Sequence, residues 1–456
     1  MKIYSFSRGG IKFEDGSAPD RVQSRLAFLP EIVILPLAAE SGSRSIPVVS
    51  VGQHIEEGML VARGQGSGSA NIHSPIPGRL VKTIKWEPAP GFLSDALVIR
   101  LEGGFNKLGK PEIKHEWTGL NWFELRSLIA EYGVIEMDGL GRPLCDIFSK
   151  NSTVGSPLTF VVRCVFDDPW LAAEYCLCKE RLKAVAEGCL ITARAAGAAT
   201  VLFAVSAAER KLGNALLEAA KRCDTSGQFT LAEILVGSRY PQHSDYEMET
   251  VLRQYAKKED LIKGGMFMLS PATTAAVYNA VVLRVPVLDR YVAVGGPALK
   301  DRAVIKVRIG SRLRDLFAEC GGFNVKTEES EVIAVIGSPL LGRAASGLDE
   351  PILKTSRSVF VSAVKRRGTA LKKSFWFNKI SKFLPAAACI SCGECRNVCP
   401  VRLDPEDVYK RITYGKQGIL SSNCIGCGCC DAVCPSKLPL CTVIARSPFG
   451  GDACAV

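Results

Sequence analysis

Nowhere among the 456 residues is there a run of eighteen uncharged apolar residues, so the chain is read as having no membrane-spanning helix. The best candidate, residues 190–208, carries Arg194 and reads as the end of a helix followed by a strand over 200–205. Met1-Lys2-Ile3-Tyr4-Ser5 opens no apolar stretch of the kind a secretory signal needs. Histidine is scarce, at four residues, and the basic regions hold few aromatics. The formal net charge of +11 therefore argues for an acidic partner or an anionic surface more than for nucleic acid. Acidic residues are missing altogether from residues 351–383, a segment with nine Lys and Arg. What is present is a 47% hydrophobic content, which excludes disorder and can bury several cores, so about three or four domains are expected.

Cysteine is the residue in excess. Of eighteen, eight fall into two copies of one pattern: Cys389, Cys392, Cys395, Cys399-Pro400, and Cys424, Cys427, Cys430, Cys434-Pro435. Each copy reads C-x2-C-x2-C-x3-C-P, the ligand run of a 4Fe-4S cluster. Three thiolates at this spacing wrap one face of a cubane, while the fourth, set beyond a turn and before proline, ligates the other cluster. The expected sets are Cys389, Cys392, Cys395 with Cys434, and Cys424, Cys427, Cys430 with Cys399. Structural zinc is the alternative, since paired C-x2-C motifs also hold a tetrahedral metal, although zinc sites seldom take four cysteines within eleven residues twice over. Clusters, like the thiols that bind them, imply a reducing compartment. The 24 residues from Pro400 to Asn423 are too many for a bare hairpin, and Pro405 followed by residues 406–411 reads as a helix start. A helical two-cluster module is expected. Cys429, Cys441 and Cys454 fall off the spacing and read as spare.

Ahead of this module, residues 1–105 read as short strands, over 32–37, 46–51, 60–62 and 79–84, punctuated by Gly42, Gly52, Gly58, Gly64, Gly66, Gly68 and Gly78. From 117 to 265 the pattern becomes α/β: a helix over 122–132, a strand over 158–165, a helix over 169–186 and a strand over 200–205. A helix over 272–281 and short strands at 291–295 and 303–307 follow, then a helix over 313–320.

Several motifs give the chain a resemblance to the RnfC family, which belongs to the Rnf electron-transport complex. They are Gly9-Gly10-Ile11, Leu35-Pro36-Leu37, Pro47-Val48-Val49 with Val51-Gly52, Ser69-Ala70-Asn71-Ile72-His73, Gly337-Ser338-Pro339-Leu340-Leu341-Gly342, and Pro351-Ile352-Leu353-Lys354-Thr355, besides the cysteine repeat. The resemblance implies a multidomain α/β plus β architecture. Its parts are a barrel-sandwich hybrid over 1–105, a Rossmann-like α/β domain over 117–265 and a β-grasp (SLBB-like) domain over 266–345. A basic linker with an amphipathic helix over 346–383 and a helical two-cluster ferredoxin domain over 384–445 complete it. The lipoyl-type lysine is absent from the hairpin, which reads His73-Ser74-Pro75-Ile76-Pro77-Gly78, and His73 is read as structural.

In the resembling family a loop reading Gly-Leu-Gly-Gly-Ala-Gly-Phe-Pro brings bare amides to a flavin phosphate. Here it reads Gly139-Leu140-Gly141-Arg142-Pro143, with Gly139 and Gly141 as the remnant. Asn-Gly-Ala-Glu-Cys-Glu-Pro-Tyr is replaced by Arg163-Cys164-Val165-Phe166-Asp167-Asp168-Pro169-Trp170. Tyr-Pro-Gln-Gly-Gly-Glu-Lys is replaced by Tyr240-Pro241-Gln242-His243-Ser244-Asp245-Tyr246.

The function implied is that of a peripheral subunit on the cytoplasmic face of the inner membrane, passing electrons through two 4Fe-4S clusters within a complex that translocates ions. Three versions stand open: a subunit that also oxidises NADH through FMN, an electron-transfer and docking subunit without dehydrogenase chemistry, and a soluble flavoprotein of the cobalamin-reductase type. The basic segment, with Trp376, Ile380, Phe383 and Leu384 at helical spacing, suits a membrane surface or an acidic partner, or else a solvated linker.

Overall fold

The computed structural model describes residues 2–38, 43–89, 92–151, 157–259, 261–262, 264–327, 330–365, 386–414 and 423–445. At its centre lies a five-stranded parallel sheet in the order Ile3–Tyr4, Thr230–Val236, Thr200–Ser206, Leu158–Cys164, Gly265–Leu269. Its three middle strands are mostly apolar on both faces, as helices on either side require. Helices Trp122–Glu131, Leu182–Ala196, Arg210–Cys223 and Pro271–Tyr278 belong to one large core, while Asp245–Ala256 closes a smaller one on the opposite face. Chain order runs outward from Leu158–Cys164 to Thr230–Val236, then returns to add Gly265–Leu269 on the other side. The C-terminal ends of Leu158–Cys164 and Gly265–Leu269 therefore flank a topological switch point, where open α/β sheets bind ligands.

Two sheets of four and three strands form the barrel-like N-terminal unit: Ile32–Pro36, Phe92–Leu101, Gly78–Ala89 and His54–Ile55 in one, Ser45–Pro47, Leu60–Gly64 and Ile72–His73 in the other. A six-stranded mixed sheet orders Arg343–Ala344, Ser330–Ile336, Ser358–Lys365, Asp289–Gly295, Ala303–Arg308 and Ser24–Leu26. Helix Leu313–Glu319 covers it, with Leu313, Leu316 and Phe317 packed on Val292, Ile305 and Val359. The last unit is helical: Glu394–Asn397, Pro405–Thr413, Cys429–Val433 and Leu440–Ala445.

The chain departs from the sequence expectations at the borders of these units. Within residues 1–105, Ile3–Tyr4 adds to the parallel sheet and Ser24–Leu26 to the six-stranded sheet, each by pairing with a strand far along the chain. Gly265–Leu269 pairs with Leu158–Val162, so a boundary at 265/266 cuts into the parallel sheet. Ser358–Lys365, inside the segment expected to be a basic linker helix, is instead a strand between Ser330–Ile336 and Asp289–Gly295. Its Val-Phe-Val core supplies the buried side chains Val359, Phe360 and Val361. Residues 366–385, with the rest of the expected basic helix, lie outside the described residues. The helix expected over 169–186 is a 3-10 turn, Pro169–Leu171, and two helices, Ala172–Glu180 and Leu182–Ala196, broken at Arg181, whose guanidinium donates to Asn279 Oδ1 at 2.8 Å.

Candidate functional site

The two cysteine motifs adopt the same backbone. Ser391 and Gly426, each two residues after the first cysteine of its motif, have φ of 53° and 66°. Gly393 and Gly428, each after the second cysteine, have φ of 75° and 72°, and each begins a one-turn helix carrying the third cysteine. Arg402 and Lys437, three residues past the fourth, have φ of 61° and 54°. Left-handed turns at three matched positions curl each copy around a concave face.

Two cavities result. Cys389, Cys392, Cys395 and, from the other copy, Cys434 line the first, together with Tyr409, Leu438 and Leu440. The second is lined by Cys424, Cys427 and Cys430, by Cys399 from the other copy, and by Leu403, Ile425 and Ile444. Cys429 and Cys441, expected to be spare, also lie at the second: Cys441 lines it, and Cys429, fully buried, stands between Cys427 and Cys430 in the chain. Cys454 lies outside the described residues.

Among the described residues no group of three or more His, Cys, Asp or Glu side chains is arranged to hold a metal ion. Each quartet surrounds a space rather than converging on a point. A cubane fills such a space, whereas zinc draws every sulfur to about 2.3 Å. The donor chemistry also fits a cluster: sulfur on all sides with apolar residues between. Burial pushes the Cys395 and Cys399 thiols up to about 11, so these sulfurs keep their protons until a cation takes the place of the protons. Backbone amides already face sulfurs of both sets, Ser391 N donating to Cys389 Sγ at 3.4 Å and Leu403 N to Cys399 Sγ at 3.2 Å.

The cluster unit is anchored by residues that the sequence marks as motifs without disclosing their use. Gly10 N donates to Val398 O at 2.8 Å, and Tyr240 Oη to Cys427 O at 2.7 Å. Ile11 and Tyr240 exchange both backbone hydrogen bonds, at 2.9 and 3.0 Å. Gly9, at φ 71°, passes so close that a Cβ there would sit 2.6 Å from the Cys399 carbonyl carbon. Leu340, within Gly337-Ser338-Pro339-Leu340-Leu341-Gly342, packs at Gly428. The second cavity is thus the one held against the α/β domain. In the first, Cys392 is exposed.

At the switch point the loop of Gly139 and Gly141 lies over the sheet, with Met137 N donating to Thr273 Oγ1 at 3.0 Å. It is occupied by its own side chains. Arg142 reaches back to both Glu136 oxygens, at 3.0 and 3.1 Å, and a Cβ on Gly139 would meet that carboxylate at 3.2 Å. Burial raises Glu136 above the usual carboxylate range, while Arg142, its hydrogen-bonded partner, opposes the shift. Arg163, from the strand beneath, pairs with Asp138 and Asp245, and His243 Nδ1 lies 2.7 Å from Asp167 Oδ1. Carboxylates and their paired cations fill the place where a flavin phosphate needs bare amides and positive potential. The residues present do not fit flavin mononucleotide.

Residues 6–103 match the RnfC barrel sandwich hybrid domain, and residues 382–435 the 4Fe-4S dicluster domain. The RnfC protein of the ion-translocating oxidoreductase complex of Rhodobacter capsulatus is 28% identical over 426 residues, covering 91% of this chain and 76% of that one. This chain is a homologue of RnfC. Another RnfC relative, from the proton-translocating ferredoxin:NAD(+) oxidoreductase complex of Clostridium ljungdahlii, is 26% identical over 87% of this chain and 82% of its own. The corresponding RnfC relative from the Na(+)-translocating ferredoxin:NAD(+) oxidoreductase complex of Acetobacterium woodii is 23% identical over 83% and 81%. A barrel-sandwich domain and a 4Fe-4S dicluster domain are therefore parts of this chain.

Proposed function

We propose that this chain is the electron-transferring peripheral subunit of an ion-translocating oxidoreductase complex, and that it performs no NADH dehydrogenation of its own. Two 4Fe-4S clusters supply one-electron transfer when bound, the first held by Cys389, Cys392, Cys395 and Cys434, the second by Cys399, Cys424, Cys427 and Cys430. The observation that carries this reading is the pair of cysteine-lined cavities, each built from both copies of one repeated backbone. The chain's own part is positional. The left-handed turns aim the sulfurs inward, the apolar lining excludes water, and Gly9, Gly10 and Tyr240 fix the second site on the α/β domain. That domain is a rigid support whose switch-point crevice is closed by ion pairs.

Partners are the other subunits of such a complex. Peripheral attachment at the cytoplasmic face of the inner membrane accords with the basic stretch at 351–383. Among the described residues no helix is long and apolar enough to cross a membrane.

Anaerobic reconstitution decides the cluster reading: about eight iron and eight acid-labile sulfides per chain are expected. Stoichiometric zinc without labile sulfide would end it. Flavin titration decides the second half. Micromolar binding of flavin mononucleotide, followed by bleaching of its absorbance on adding NADH, would restore a dehydrogenase role.

A further inference from the structure

The two cluster sites are related by a constant offset along the chain, and the relation fails at two positions beside the sulfurs. Cys429 in the second copy corresponds to Glu394 in the first, and Cys441 to Glu406. The fold keeps the correspondence at the second pair: Cys441 lines the second cavity and Glu406 the first. Glu406 is turned to Lys410, at 2.6 Å, whereas Cys441 shares its cavity with four ligand sulfurs.

Cys441 is held in place by its own backbone, its N-H donating to Asp431 Oδ1 at 2.7 Å. From there it lines the second cavity together with the Cys424 and Cys430 sulfurs. Cys429, fully buried at the start of helix Cys429–Val433, is next to Cys430 and two residues from Cys427. Three of the four sulfurs assigned to the second cluster thus have a neighbouring thiol. Among the described residues, no such non-ligand cysteine lines the first cavity.

We propose that Cys429 and Cys441 are positioning residues of the second cluster, whose S-H groups donate to its ligating sulfurs and raise its reduction potential. The proposal rests on the assignment of Cys399, Cys424, Cys427 and Cys430 as that cluster's ligands. A donor to a ligating sulfur draws electron density from the iron and favours the more negative, reduced state, and a cluster's potential responds to such bonds. The thiol is a weak donor, but in a dry cavity nothing competes with it.

The test is a redox titration of the full chain, reconstituted without oxygen and followed by electron paramagnetic resonance, with Cys427→Ser marking which signal belongs to the second cluster. Cys429→Ala and Cys441→Ala should each keep the wild-type iron and sulfide and move the second midpoint to more negative potential, with a larger movement in the double variant. The first midpoint should stay. Cys441→Ser, which restores a donor, should recover part of the shift. Unmoved midpoints in both alanine variants at full iron content would overturn the proposal. So would loss of about half the iron in Cys441→Ala, which would make Cys441 a ligand. A wild-type chain that takes up no iron and sulfide would instead remove the cluster reading beneath it.

Discussion

Arg163 shows how a side chain can close a site by charge alone. Its guanidinium is 12% exposed and faces Asp138, at 2%. Removing the cation leaves a buried carboxylate with nothing to offset its lost hydration, so Arg163→Ala should destabilise the chain by about 3 kcal/mol, read by chemical denaturation. Asp138→Asn in the same background should recover much of that loss. Sequence could not join these residues, because the loop and the strand that carry them meet only when the switch point forms. His73 makes a different case. Its ring is stacked on Tyr132 at 6.3 Å, and its Nδ1 has no hydrogen-bond partner. Burial first, and then the charge of Lys354, holds it down to about 3 from an ordinary 6.5. Between those values the unfolded chain binds a proton that the folded chain refuses. Stability from this group is therefore present above pH 6.5 and is lost as pH falls toward 3. His73→Gln should flatten that part of the melting temperature against pH, and an unchanged slope would assign the acid loss elsewhere. The reading of His73 as structural agrees with this environment, and the single histidine beside a turn was all that sequence offered.

Among the elements, legibility follows length and period. Strands Leu158–Cys164 and Thr200–Ser206, long and mostly apolar, were legible, as was helix Trp122–Glu131 behind its Asn121 cap. Ile3–Tyr4 and Ser24–Leu26 are two and three residues long, too short to carry any period, and only their distant partners make them strands. Ser358–Lys365 was hidden by the lysines and arginines around its short apolar core. The cysteine repeat was legible because spacing alone encodes it, but the backbone match at Ser391 and Gly426 was not, since the two residues share no chemistry. If the copies exchange their fourth ligands, Cys399→Ser should perturb the same spectroscopic signal as Cys427→Ser, and its grouping with Cys392→Ser would contradict the exchange. Docking is tested at Gly9, where a side chain must displace backbone. Gly9→Ala should raise hydrogen exchange at the amides of Val398 and Cys399 and lower the melting temperature, with the parallel sheet's protection intact.

For the whole molecule, the charge asymmetry bears on where it works. Lys372, Lys373, Lys379 and Lys382 lie outside the described residues, but near an anionic bilayer each contributes about 1 kcal/mol. Reversing all four to Glu should abolish sedimentation with anionic vesicles, and raised salt should weaken the wild type in the same direction. Unchanged sedimentation would leave that stretch as a connector. The N-terminal thread has a consequence for synthesis. Ile3 pairs with Leu235, Gly10 bonds to Val398, and Ser24 pairs with Val304, so one short stretch joins three units made long after it. On the ribosome strand Ile3–Tyr4 has no sheet partner until more than half the chain has emerged, and the last contact of the stretch waits for the first cysteine motif. Each domain can begin folding in turn, but the seam between them closes only from the end made first.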